Sequence, residues 1–281
     1  MSVFIAAKPK GRIALIGAPF DSTVSFRPGS RFAPNALREA SYGLETFSFK
    51  QARDLEDADF CDLGDLELPF GDPKPALELI WTAAAQGLAQ GQIPLLLGGE
   101  HLVSLGAVRA ASAYHPELKI VHLDAHADLR DEYLGQKLSH ATVMRRCLDF
   151  VGPENLRQMG VRSGTRAEFD LNRRYRAELD EVLAWAGTAP IYLSLDLDVL
   201  DSAVLPGTGT PEPGGWSFNQ LINTLLVLIE QLNVVAADVV ELAPMLDASG
   251  VSTIVAAKVV RELILALDAR PDLDKARVRV P

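Results

Sequence analysis

Two carboxylates and an imidazole crowd into five residues at Asp124-Ala125-His126-Ala127-Asp128. A second acidic pair stands at Asp196-Leu197-Asp198, and a third element reads Gly98-Gly99-Glu100-His101. These are divalent-cation donors, and bare carboxylates brought together would repel one another unless a cation sat among them. Oxygen donors with a minority of imidazole nitrogens suit a hard or borderline ion such as Mn²⁺ better than a thiolate-seeking metal. The number of carboxylates points to two ions sharing a bridge, an arrangement that activates water for hydrolysis at neutral pH. Each element alone is weak, since an Asp-x-Asp pair after a strand often only caps a loop. Three in the same position relative to a strand carry more weight.

That position is set by what precedes them. Short apolar runs at Ile93–Leu97, Lys119–Leu123 and Ile191–Leu195 read as strands, each ending at one of the clusters. Arg12–Gly17 and Val234–Val240 add two more strands, the latter ending at Glu241. Between them lie helical patterns. Leu77, Ile80, Trp81, Ala84 and Leu88 recur at helical spacing from Pro75 to about Gln90, with Gly91 placed as a terminating glycine. Leu102–Ala113 predicts a second helix, and Ser217 with Gln220 a capping box heading a helix through Gln231. Ser252–Leu267 predicts a long final helix, while Pro69–Pro75 and Leu205–Gly215 read as loops. Strands apolar on both faces and separated by helices imply an α/β fold with a parallel sheet covered on both sides. Ligands bind such sheets at the carboxyl ends of the strands, where all three clusters fall. No repeat, low-complexity tract or linker interrupts the 281 residues, so residues 1–281 read as one domain.

Composition narrows the partners. A net charge of −10 with no strongly basic stretch argues against nucleic acid, and suits a cationic substrate. No run approaches the ~20 apolar residues of a membrane span, and the first residues lack a signal-peptide pattern. Cys61 and Cys147 have no metal-site spacing and read as buried free thiols. A cytoplasmic location is expected.

Together, Gly98-Gly99-Glu100-His101, Asp124-Ala125-His126-Ala127-Asp128 and Ser194-Leu195-Asp196-Leu197-Asp198 resemble the three signatures of the ureohydrolase (arginase/agmatinase) family. The resemblance runs from about Gly17 to the final helix. It implies a three-layer α/β/α fold with a central parallel sheet, a homotrimer or homohexamer, and two Mn²⁺ per subunit. One ion would be held by His101, Asp124, Asp128 and Asp196, the other by Asp124, His126, Asp196 and Asp198. Asp124 and Asp196 would bridge, and Asp128 would also hydrogen-bond the nucleophile. His140 would be the proton shuttle, a role suited to a group that titrates near neutrality. Glu241 would receive the substrate guanidinium, which a carboxylate can bind through two parallel hydrogen bonds. The family often continues its last signature as Asp-Pro, whereas this chain has Asp201-Ser202.

Segments such as Phe26-Arg27-Pro28-Gly29-Ser30-Arg31, Leu138-Ser139-His140-Ala141-Thr142 and above all Asp124–Arg146 resemble prokaryotic agmatinases more than arginases. That resemblance implies hydrolysis of agmatine to putrescine and urea. Arginases resemble one another in placing asparagine and serine soon after the metal loop; here the segment is Leu129-Arg130-Asp131-Glu132-Tyr133. Asp131 or Glu132 could pair with an amine tail, or simply face solvent. The alternatives are another amidinohydrolase acting on 4-guanidinobutyrate, arginine or guanidine, and a non-catalytic relative. A substrate with a carboxylate would need a basic partner such as Arg130, Arg145 or Arg146. His122 reads as a supporting residue on the opposite strand face from its neighbours, and His115 as a surface residue.

Overall fold

The computed structural model describes residues 2–270. Its first half runs β1 (Ile13–Ala18), α1 (Ala33–Ser41), the short pair β2 (Phe47–Ser48) and β3 (Arg53–Asp54), β4 (Phe60–Asp65), α2 (Pro73–Ala89), β5 (Ile93–Gly98) and α3 (Ser104–Tyr114). The second half runs β6 (Lys119–Leu123), α4 (Val143–Val151), β7 (Leu156–Met159), α5 (Arg166–Asn172), α6 (Leu179–Ala186), β8 (Pro190–Asp196), α7 (Phe218–Gln231), β9 (Asn233–Val240) and α8 (Val251–Ala269).

Seven strands form one parallel sheet in the order β4-β1-β5-β9-β8-β6-β7. Alternate residues of each strand feed two cores. Leu95 and Leu97, Val121 and Leu123, Leu193 and Leu195, and Val239 pack with α1, α6, α7 and α8. Leu96, Ile120, Tyr192 and Val240 pack with α2, α3 and α4 on the other face. The result is the expected three-layer α/β/α sandwich. No helix among the described residues is long and apolar enough to cross a membrane. Cys61 and Cys147 are buried and free.

Register brings the strand ends level. Leu97 of β5 lies opposite Val239 of β9, Asp196 of β8 opposite Val240, and Leu123 of β6 opposite Leu195. Four loops therefore leave the sheet side by side. The first helix expected from periodicity begins at Pro73, because Asp72 caps it by accepting from the Lys74 amide at 3.0 Å. The last residues of the expected Pro69–Pro75 loop thus belong to α2. Past β5 the chain makes a 3-10 turn at His101–Val103 before α3 begins. Ser217 caps α7 through the Gln220 amide at 3.2 Å, the amide half of the expected box.

Strands β4 and β7 escaped the hydrophobic pattern for a physical reason. Phe-Cys-Asp-Leu-Gly-Asp and Leu-Arg-Gln-Met lie at the two sheet edges and carry polar residues, so neither reads as a continuous apolar run.

Candidate metal centre

The loops leaving β5, β6 and β8 bring His101, Asp124, His126, Asp128, Asp196 and Asp198 into one cluster. Nδ1 of His101 lies 3.1 Å from Asp124 Oδ2, 3.2 Å from Asp128 Oδ2 and 3.2 Å from Asp196 Oδ2. Nδ1 of His126 lies 3.0 Å from Asp198 Oδ2 and 3.5 Å from Asp124 Oδ1. The two oxygens of Asp124 therefore face two different groups of donors, an arrangement that would let this carboxylate bridge two ions. Asp124, Asp196, Asp198 and His101 are all buried, and His126 is 24% exposed at its side chain.

Whether the residues fit a metal can be judged at His101. Its Nε2 lies 2.9 Å from Ser194 Oγ, and that hydroxyl donates to Asp238 Oδ1 at 2.9 Å. A hydroxyl that gives its proton away accepts from the imidazole, so Nε2 carries the ring proton. In the neutral ring Nδ1 is a bare lone pair, buried and aimed at three carboxylates. A positive charge there satisfies the arrangement, a metal ion or, without one, a proton. Titration tells the same story. Burial and the neighbouring Asp198 and Asp124 hold the Asp196 carboxyl well above the usual range. Burial opposes a charge on His101, yet hydrogen bonds that its ring donates to Asp124, Asp128 and Asp196 hold its pKa well above the ordinary imidazole value, so a proton can take the place of an ion. The donor set fits a divalent metal site.

Local structure explains the motif around His101. A Cβ on Gly99 would meet the Phe20 carbonyl oxygen at 1.9 Å, so only glycine lets the β1 loop approach so closely. Glu100, between Gly99 and His101, is fully buried and points away from the cluster. Its carboxylate accepts from the Thr23 amide at 3.0 Å and hydroxyl at 2.7 Å. Thr23 Oγ1 in turn accepts from the His140 amide at 3.0 Å. Glu100 thus ties the β1 loop to His140, a role the sequence motif did not reveal.

His140 and Glu241 both border a cavity of about 250 Å³ that also reaches His101, His126, Asp128 and Asp196. Burial lowers the His140 pKa, although Asp128 acts in the opposite direction. Glu241 accepts from the His101 amide at 2.6 Å, and burial pushes its carboxyl up to about 8. Asp128 and Glu241 both adopt left-handed backbone, φ 53° and 66°, a conformation non-glycine residues hold at a cost of about 1–3 kcal/mol and most often at functional sites. Asp201 lacks the following proline, but its loop is tied otherwise. Its carboxylate accepts from the amides of Ala203 at 2.9 Å, Gly214 at 2.6 Å and Gly215 at 3.0 Å.

Of the two alternatives for Asp131 and Glu132, the structure shows the solvent-facing one. Asp131 is 67% exposed and pairs with Arg146 at 2.7 Å, and neither it nor Glu132 borders the cavity. Arg130, Tyr133 and Glu168 do instead. Arg130 lies over the Tyr133 ring, 4.5 Å from its centroid, and donates to buried Glu168 at 3.2 Å. Arg130 and Tyr133 face the cavity while Asp131 and Glu132 between them face solvent, which spacing alone could not show.

The sequence profile of the Arginase family matches residues 11–266. The chain belongs to the arginase family. It is 44% identical over 276 residues to an agmatinase of Halalkalibacterium halodurans, covering 94% of this chain and 96% of that protein. The mitochondrial guanidino acid hydrolase of Homo sapiens is 33% identical over 289 residues, covering 95% of this chain and 82% of the human protein. The crystal structure of the agmatine ureohydrolase of Thermoplasma volcanium superposes with a TM-score of 0.86 at 29% identity, covering 100% of this chain and 97% of the other. Within this arginase-family frame the predicted ligand residues converge, with His140 and Glu241 beside them.

Proposed function

We propose that this protein hydrolyses the guanidinium of agmatine to putrescine and urea, with two Mn²⁺ per subunit held by His101, Asp124, His126, Asp128, Asp196 and Asp198. The observation that carries the reading is the split Asp124 carboxylate, one oxygen toward His101 and the other toward His126, two residues that border the same cavity as Glu241. When bound, the ions supply positive charge and an acidified water at neutral pH. Glu241 receives the guanidinium and fixes its plane. The free carboxyl, raised to about 8, is drawn to its ionised form by an arriving cation. Asp128 accepts the nucleophile's proton and relays it to His140, which is neutral at pH 7 because burial lowers its pKa and which delivers that proton to the leaving amine.

Similarity to agmatinases over nearly the whole chain supports agmatine as substrate. The rival is a carboxylate-tailed guanidino compound, favoured by Arg130 at the cavity wall. The ion pair with buried Glu168 already engages that guanidinium, which supports the amine-tailed substrate. The experiment is urea release by Mn²⁺-loaded protein from agmatine, arginine, 4-guanidinobutyrate and guanidine in parallel. Preference for agmatine is expected. Preference for 4-guanidinobutyrate would overturn the tail assignment, and no urea from any of them would overturn the catalytic reading.

A further inference from the structure

Behind the cluster, on the α2–α4 face of the sheet, runs a chain of polar side chains that the proposed reaction does not use. It begins at Asn172, the last residue of α5, whose Nδ2 donates to Gln158 Oε1 at 2.7 Å. Nε2 of Gln158 lies 2.7 Å from the Ala127 carbonyl oxygen and 2.8 Å from His122 Nδ1. Nε2 of His122 lies 2.9 Å from Asp124 Oδ2. Gln158, His122 and Asp124 have no exposed surface, and Asn172 is 6% exposed.

We propose that Gln158 is a positioning residue for the metal loop, setting the tautomer of His122 and through it the orientation of the Asp124 carboxylate. The argument starts at Ala127, because a carbonyl oxygen can only accept. Gln158 must therefore turn its amide nitrogen, not its oxygen, toward the loop. One of its two hydrogens goes to Ala127 and the other to His122 Nδ1. A ring nitrogen that receives an N–H is unprotonated, so the imidazole proton sits on Nε2 and is donated to Asp124 Oδ2. Rotating the amide would lose three hydrogen bonds at once and set two oxygens 2.7 Å apart.

The consequences reach both sides of the bridge. Asp124 Oδ2 is held by His122, while Oδ1 accepts from the His126 amide at 2.5 Å. The carboxylate cannot turn, so each oxygen keeps its own set of donors. Pinning the Ala127 carbonyl also fixes the backbone between His126 and Asp128. His122 lies close enough to His101, Asp124 and Asp128 to pass for a ligand, but both its nitrogens are committed. It orients a ligand and is not one.

The proposal rests on the reading of Asp124 as the bridging carboxylate, and its test separates the two. Gln158→Met keeps the length of the side chain and removes both amide functions. Dialysis of wild type and variant against graded Mn²⁺ should show affinity for at least one ion weakened by about 10–100-fold, the usual effect of losing such a supporting hydrogen bond. Turnover should return toward the wild-type value at excess Mn²⁺, a rescue that a misfolded protein would not show. A neutron structure of the wild-type protein should place a deuteron on His122 Nε2 and none on Nδ1. Unchanged Mn²⁺ affinity in Gln158→Met, or a deuteron on Nδ1, overturns the proposal. If the variant fails to fold, the wild-type neutron density decides alone. Weakened Mn²⁺ binding in the variant, with no urea from the wild type, would instead sink the catalytic reading and leave this one standing.

Discussion

The two faces of the sheet are made from the same strands by alternate residues, yet they differ in kind beneath the cluster. Toward α7 and α8, the strands present Leu97, Leu123, Leu195 and Val239, an aliphatic layer without polar groups. Toward α3 and α4, the next residues along are His122, Ser194 and Asp238, all fully buried. Asp238 accepts from Tyr192 Oη at 2.7 Å, Ser194 Oγ at 2.9 Å and the Leu195 amide at 3.2 Å, so its burial is offset by three hydrogen bonds. The aliphatic face supplies stability that depends on volume. The polar face supplies orientation, because every donor has one acceptor and each pairing fixes the next.

Substitutions should separate the two contributions. Asp124→Asn removes the charge on which both halves of the cluster converge; loss of metal and of measurable turnover is expected, and full activity would remove Asp124 from the site. His140→Ala should keep the metal, as measured by metal analysis, and lose turnover by on the order of 10²–10⁴-fold. The wild-type pH profile should carry the same residue's mark. Burial lowers the His140 pKa below 6.5, so the neutral imidazole persists through pH 7 and kcat falls only as pH drops through that lowered value. In His140→Ala that acid limb should vanish; its survival would assign it to another group.

Leu195→Ala, on the aliphatic face, should cost about 2–5 kcal/mol of unfolding free energy and leave Mn²⁺ affinity unchanged. Its neighbour in sequence should behave in the opposite sense. Ser194→Ala leaves His101 Nε2 and Asp238 Oδ1 each short of a partner, and should weaken Mn²⁺ binding by roughly 10-fold with a smaller change in melting temperature. Equal metal affinities in these two variants would erase the distinction between the faces. The smallest effect is expected from Asp131→Asn. That carboxylate is held below its ordinary range by Arg146 and faces solvent, so KM for agmatine should change less than about twofold.

The strands that carry the ligands were legible because each is a short apolar run ending at a cluster, and the ligands within a loop sit at fixed local offsets. Edge strands β4 and β7 and helices α1, α4, α5 and α6 were not, since polar residues break their patterns or their length is slight. Glu100 lay in plain view inside a motif, but its partner Thr23 is distant in sequence, and nothing local shows that the carboxylate turns from the cluster toward the β1 loop. The same limit applied to the Asp131–Glu132 alternative, where only the loop's path decides that Arg130 turns inward.

The sequence by itself determined the donor types, their attachment to strand ends and the parallel α/β frame, because these follow from residue chemistry and short-range periodicity. Only the tertiary structure decided which oxygen of Asp124 faces which histidine, that His101 presents a bare Nδ1, and that Gln158 stands behind His122. Those facts depend on strands β6, β7, β8 and β9 lying at one register, which joins groups far apart in the chain through contacts of about 3 Å that no local pattern encodes.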